Sequence, residues 1–421
     1  METVAENTTG LRRIKIGWIP AEWDYLPLSD ISLKITDGAH YSPPSVDEDV
    51  GYPMYSIKNM SNIDFKRNQP RFISKDVFDS LIKQGCQPEL GDIVIAKDGS
   101  VLRYCFVITE KFDGVLLSSV AILKPNTKIV YPEFVCQFLK LPHVRNYVVK
   151  ALTTGTGVPR IVLKDFRGLK IALPNKNEQL KIASILSEWD KAIKITQTLI
   201  DKLKLRKKGL CQQLLTGNIR LTGFSKEWKE ITLGEITDRI TNKNEELNDT
   251  VVTISAQRGF VKQEDFFNKR VASSTLSGYY LIKRGNFAYN KSYSSGYPMG
   301  AFKRLDDFDK AVVTTLYICF SVKENIDSDF LLNYFEAGLM IKNLMRIAQE
   351  GGRAHGLLNI SLKDFFDLKL IIPTIEEQKA IANVLNKVDK EIECQEAYLK
   401  HLQLQKKGLM QQLLTGKIRV N

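Results

Sequence analysis

Two stretches of the chain space their apolar residues in the same way. From Glu178 onward, Ile182, Leu186, Trp189, Ile193, Ile200, Leu203, Leu210 and Leu214 mark a 4-3 alternation through more than four heptads, with Thr196 and Lys207 in the two remaining places. Ile381, Leu385, Val388, Ile392, Leu399, Leu402, Leu409 and Leu413 repeat it, with Gln395 and Lys406 as the exceptions. A period of 3.5 predicts two long helices, each with an apolar seam that must pack against another helix. Pro174 and Pro373 mark the starts, because proline disfavours helix in the residue before it. Thr216-Gly217 and Thr415-Gly416 mark the ends, where glycine relieves a left-handed cap. At about 1.5 Å per residue each seam is roughly 50 Å long, about 15 base pairs of duplex at 3.4 Å each. The polar exceptions cost stability but fix register, so they are expected to specify how the helices pair.

These stretches are copies. From Leu173 to Arg220, 23 of 48 positions are identical to the segment from Ile372 to Arg419 at a constant offset of 199. Weaker echoes lie outside: EWDYLPLSDI from Glu22 with EWKEITLGEI from Glu227, GDIVIAKDGS from Gly91 with GNFAYNKSYS from Gly285, and KDF at Lys164 and Lys363. Their offsets drift between 194 and 205, which places insertions in the loops of two diverged globular parts. DIVIAKDG, RYCFVIT, VLLSSVAILKP, VVTISAQ, NFAYNKS and AVVTTLYICFSV carry the β-branched and aromatic runs of strands. Tyr131 to Val149 and Ser328 to Gln349 have helical spacing. The expected fold is α+β: two similar strand-rich domains, residues 1–174 and 218–373, separated by two long antiparallel coiled-coil helices, residues 175–217 and 374–421, as a pseudo-twofold tandem repeat.

The 421 residues carry 60 Lys plus Arg against 48 Asp plus Glu, a formal charge of +12. An excess of cations favours a polyanionic partner, since neutralised phosphates release counterions. Apolar content of 43% excludes disorder. No stretch of 18 apolar residues exists and METVAENTTG lacks an apolar signal core, so a cytoplasmic protein without membrane contact is expected. Six scattered cysteines, without C-x-x-C, read as buried free thiols.

Nothing nominates a catalytic or metal site. G-x-G-x-x-G, H-E-x-x-H, G-x-S-x-G and the Pro-Pro-aromatic signature of adenine methyltransferases are missing. Gly285 to Ser292 is one glycine short of a phosphate loop, and His40, His143, His355 and His401 share no relay spacing with a carboxylate.

The order of a globular part, P-x-x-x-E-Q-x-x-I-A-x-x-L-x-x-x-D ending at Asp190, a long helix and K-K-G-L-x-Q-Q-L-L-T-G, all repeated, resembles the specificity subunit of type I restriction-modification enzymes. The resemblance covers nearly the whole chain. It implies a non-catalytic DNA-recognition subunit with two target-recognition domains, each reading one half of a split sequence. It further implies that the helices set the spacing and dock two modification subunits, with restriction and motor subunits completing the complex. S-adenosylmethionine, ATP and Mg would then sit on those partners and none on this chain.

Base readout is expected from polar and cationic side chains on loops that the repeat superimposes. One set is Lys97, Asp98, Ser100 and Arg103 with Asn290, Lys291, Ser292 and Tyr293. A second is Ser56, Lys58 and Asn59 with Ser255, Gln257 and Arg258. A third is Thr154, Thr156 and Arg160 with Gln349, Arg353 and His355. Two other readings stay open at this level: the DNA-reading part of a single-chain methyltransferase-nuclease, and a coiled-coil scaffold that binds no nucleic acid.

Overall fold

The computed structural model describes residues 10–154, 157–267, 272–273, 275–348 and 358–420. They form two units. One takes the described residues of Met1–Thr196 together with those of Tyr398–Asn421, and the other those of Gln197–Ala397. The end of the chain thus belongs to the first unit.

The first unit is built on a four-stranded antiparallel sheet in the order Ser32–Asp37, Val120–Pro125, Ile93–Ala96, Cys105–Val107. Ile93–Ala96 is buried along its whole length, as befits a continuous apolar run. A smaller sheet pairs Tyr52–Tyr55 antiparallel with Arg71–Ile73 and parallel with Val115–Leu116, and Asp24–Pro27 pairs with Lys170–Leu173. The hairpin Leu11–Ile14 with Gly17–Pro20 was not apparent from the sequence.

The second unit repeats the main sheet in the same order: Thr237–Ile240, Ile318–Val322, Phe287–Asn290, Ala301–Arg304. Lys229–Thr232 pairs with Lys369–Ile372. Even register is retained, since Lys170 faces Pro27 and Lys369 faces Thr232, at the offsets of 199 and 205 seen in the sequence. The units differ beside the sheet, where the second carries a hairpin, Val252–Ser255 with Gly259–Lys262, and a separate antiparallel pair, Tyr280–Lys283 with Lys310–Val313.

The helical stretches expected at 131–149 and 328–349 are each two helices, Pro132–Leu139 with Pro142–Ala151 and Ser328–Glu336 with Ile341–Ile347. Pro142 starts a new helix, where its missing N–H costs nothing, and Gly338 interrupts the other. VLLSSVAILKP and AVVTTLYICFSV likewise each split into two strands.

The central helix, Lys176–Leu214, and the C-terminal helix, Ile375–Leu413, are 39 residues each. In the first unit Ile182 and Leu186 join Met410, Leu413 and Leu414 in one core with Trp23, Phe134 and Phe166. In the second, Cys211, Leu214 and Leu215 join Ile381, Ala382 and Leu385 in the core built on Phe287, Phe320 and Phe365, and Leu203 packs with Val388 and Ile392. Within each unit the start of one helix therefore meets the end of the other, an antiparallel pairing. Every apolar seam position is buried or half-buried.

Two kinds of clamp lock this pairing, each present once per unit. Lys406 Nζ lies 2.6 Å from Asp190 Oδ1 in the first unit, and Lys207 Nζ lies 2.7 Å from Asp389 Oδ2 in the second. Arg419 donates from Nε and Nη2 to the two carboxylate oxygens of Glu178, both at 2.7 Å. Arg220 does the same to Glu377, both at 2.6 Å. Each guanidinium also lies over an indole, Arg419 at 5.7 Å from Trp23 and Arg220 at 5.7 Å from Trp228. The neighbouring glutamines tie each helix start to its own unit. Gln179 Nε2 donates to Pro174 O and its Oε1 accepts from Tyr131 N, while Gln378 does likewise with Pro373 and Asp327. Of the polar seam residues, then, the lysines span the pairing. Thr196 instead donates to the Ala192 carbonyl one turn back. Gly217 and Gly416 end the helices at φ +73° and +69°. A Cβ at Gly416 would also strike Pro20. Cys394 is exposed, unlike the other five free cysteines, because it lies off the seam.

Candidate nucleic-acid interface

In the first unit three loops meet at the end of the sheet where Ile93–Ala96 and Ser32–Asp37 finish. Lys97 N donates to Ser119 O, and Ser119 Oγ accepts from Ile57 N, which joins the Lys97 loop to the turn after Tyr52–Tyr55. Ile161 N donates to Lys97 O and Gly99 N to Pro159 O, which joins the hairpin Thr153–Thr154 with Arg160–Ile161 to the same loop.

Within this cluster side chains divide between holding and facing outward. Lys97 and Asp98 are 5% and 8% exposed, which removes them from the outward-facing set the sequence suggested. Lys97 Nζ is instead 3.2 Å from the buried Asp37 Oδ2 and 3.7 Å from Asp98 Oδ1. A lysine on a buried strand end needs such carboxylates to keep its charge. Ser56 and Asn59 shape their own turn, Asn59 Oδ1 accepting from Ser56 N at 2.9 Å and its Nδ2 donating to Gln69 O. Lys58, Arg103 and Arg160 are exposed. Ser100 O accepts from Arg103 N, and the Arg103 guanidinium sits 5.5 Å from the Tyr104 ring. Between them the fully buried Leu102 has φ +54°, a conformation that costs of order 1–3 kcal/mol for a branched side chain and fixes the direction in which Arg103 leaves the loop. Thr154 is in its strand; Thr156 lies outside the described residues.

The second unit gathers its loops at the corresponding place. Lys291 follows Phe287–Asn290 as Lys97 follows Ile93–Ala96, and Lys291 O accepts from Leu358 N as Lys97 O accepts from Ile161 N. Gln257 Nε2 donates to Ser295 O, bringing the Ser255 turn to the Lys291 loop. Ser255 is buried, and its Oγ accepts from Arg258 N. Arg258 is exposed with its guanidinium 5.9 Å from the Phe266 ring. Asn290 Oδ1 accepts from Ser292 N, and Tyr293 is 65% exposed. Gln349, Arg353 and His355 lie outside the described residues.

Asp37, Ser119 and Ser295, which hold these loops together, were not singled out from the sequence. For Asp37 the available signal was its place two residues after the buried Ile35, on the inward face of a strand. For the serines there was none, because a link made through one hydroxyl or carbonyl leaves no pattern.

The model of the family described as "Type I restriction modification DNA specificity domain" matches twice, at residues 20–205 and 225–403. The chain belongs to this family. Each of the two units carries one loop cluster and one set of clamps. A relative from Methanocaldococcus jannaschii, the type I restriction enzyme MjaVIII specificity subunit, is 31% identical over 359 residues, 78% of this chain and 79% of the relative. The putative type I restriction enzyme MjaX specificity subunit of the same organism is 26% identical over 437 residues, 97% and 96%. Among solved structures, the type I restriction-modification S subunit from M. genitalium has a similar fold. Its TM-score is 0.56 at 16% identity, over 93% of this chain and 96% of that one. No helix among the described residues is long and apolar enough to cross a membrane.

Proposed function

We propose that this specificity subunit reads a split DNA target, one half through the loop cluster of each unit, and delivers it to partner subunits that carry out the chemistry. The observation that carries the reading is the repeated convergence. Loops at repeat-equivalent places meet at the same strand end in both units, yet among the described residues their cations and polar groups differ: the exposed Lys58, Arg103 and Arg160 in one, the exposed Arg258 and Tyr293 with the half-buried Lys291 in the other. Equivalent placement with unlike side chains is what two unlike half-sites require of base-reading loops. The helix pair keeps the half-sites at one separation, and its outer faces dock two modification subunits. Restriction and motor subunits join in the full complex. This chain is non-catalytic, and S-adenosylmethionine, ATP and Mg are held by the partners. The protein works in the cytoplasm.

The test is to sequence methylated adenines in the host genome with and without this gene. A motif of two specified blocks around an unspecified spacer, lost on deletion, is the expected result. A contiguous motif, or methylation that does not depend on the gene, would overturn the reading.

A further inference from the structure

Arg160 and Asp98 form an ion pair whose carboxylate the repeat does not duplicate. Arg160 projects from the hairpin end with 63% of its side chain exposed, while Asp98 beneath it is almost enclosed. Asp98 Oδ2 is 3.2 Å from Arg160 Nε. The backbone holds the two residues opposite each other in an antiparallel bridge. Asp98 is itself held from behind by Lys97, and Lys97 by Asp37. This chain of alternating charges runs from the buried sheet end to the exposed guanidinium. In the second unit Ser292 stands at the position of Asp98, so no carboxylate follows the strand-end lysine there.

The geometry has a consequence for recognition. An arginine on a free loop samples many rotamers, and ordering it on DNA opposes binding. A guanidinium engaged at Nε by a fixed carboxylate keeps its two terminal amino groups for a ligand, in a planar fork. Two parallel donors fit O6 and N7 of guanine in the major groove, and no other base presents two acceptors there. Resting on the proposal that this unit reads half of a DNA target, we infer that Arg160 is a specificity-determining residue that selects one guanine in the half-site of the first unit. Asp98 is its positioning residue.

The experiment uses the full chain co-expressed with its modification subunits, and reads the methylated motif base by base for wild type, Arg160→Lys, Arg160→Ala, Asp98→Asn and Asp98→Glu. Arg160→Lys and Arg160→Ala should relax discrimination at a single G·C position of one half-site by roughly 5- to 150-fold, leaving the other half and the spacer unchanged. Asp98→Asn should relax the same position by a smaller factor, and Asp98→Glu should restore part of it. A purely structural role for Asp98 would instead lower methylation at all sites equally and lower the melting temperature. If Asp98→Asn does not fold, Arg160→Lys decides alone. An unchanged motif in both Arg160 variants overturns the inference and leaves the two-reader proposal standing. So does uniform weakening across sequences with a salt slope smaller by about one, the mark of a phosphate contact. A wild-type motif without two blocks defeats the underlying reading itself.

Discussion

Lys406 and Lys207 occupy repeat-equivalent seam positions and each reaches a repeat-equivalent aspartate on the opposing helix, Asp190 at 2.6 Å and Asp389 at 2.7 Å. Lys406 is the more deeply enclosed, and burial pushes its ammonium below the ordinary lysine value while Asp190 pulls it back. We predict that Lys406→Met, which among the described residues leaves Asp190 with Gln137 as its partner, costs about 3 kcal/mol in chemical denaturation, the lower end for a broken buried pair. Adding Asp190→Leu should recover most of that loss, because the uncompensated charge is gone. An additive double mutant, with no recovery, would contradict the pairing.

The arginine clamps give unit-selective effects. Arg419→Ala strips the partner from Glu178, which is 3% exposed, and should destabilise the first unit by about 2–3 kcal/mol, since a third of Arg419 remains in solvent. Arg220→Ala should do the same to the second unit through Glu377. Amide exchange resolves the two. Protection should fall in residues 20–196 for the first variant and in 225–397 for the second, and a loss shared equally by both would show that the clamps do not act locally.

Spacing between half-sites should follow helix length. The paired clamps bracket the middle of both helices, so a balanced deletion of Gln197–Leu203 and Glu396–Leu402 removes one heptad from each while preserving every clamp residue. Ten ångströms, about three base pairs, should leave the spacer of the methylated motif, with both half-sites intact. Retention of the original spacer is the outcome that refutes a ruler.

Single cations in the loops should act on one half-site only. Arg103→Ala is expected to weaken or relax the half read by the first unit, and Lys291→Ala the other, by about 1–3 kcal/mol if the contact is to a base. Equal relaxation of both halves in either variant would argue against two independent readers.

Stability should also decline in acid through His143. Burial, with Lys417 adding to it, lowers its pKa below the ordinary 6.5. The unfolded chain then binds a proton more readily than the folded one, so this contribution is complete above pH 6.5 and is lost as pH falls through the lower folded value. His143→Phe should flatten that part of the melting-temperature profile, and an identical profile would show that His143 is not the group responsible.

Much of this architecture was legible in the chain. A 3.5-residue period can be satisfied only by a partner helix, so Ile182 to Leu214 and Ile381 to Leu413 announced two seams. A constant offset of 199 announced that they are copies. Strand-forming runs located the inner strands of both four-stranded sheets, because a β-branched run such as Ile93–Ala96 has few other places to go, while the edge strands Ser32–Asp37, Thr237–Ile240 and Ala301–Arg304 were not singled out. The candidate loops were legible as repeat-equivalent positions, and those among the described residues meet at one strand end in each unit.

What remained hidden depends on groups distant in sequence meeting in space. Nothing in the heptad spacing says that Lys406 reaches Asp190, since both lysines look like defects in an apolar seam until the opposing helix supplies a carboxylate. The E-Q signature and the arginines that end the two copies, Arg220 and Arg419, could be seen to recur. Only packing reveals that Arg419 closes on Glu178 and so returns the end of the chain to the first unit. Lys97 and Asp98 read as loop cations and anions, but the sheet end enclosed them, because Asp37 from another strand neutralises the lysine and allows it to be buried. Periodicity is a local property and determined the elements; burial and charge pairing depend on which elements become neighbours, and tertiary structure alone decided those.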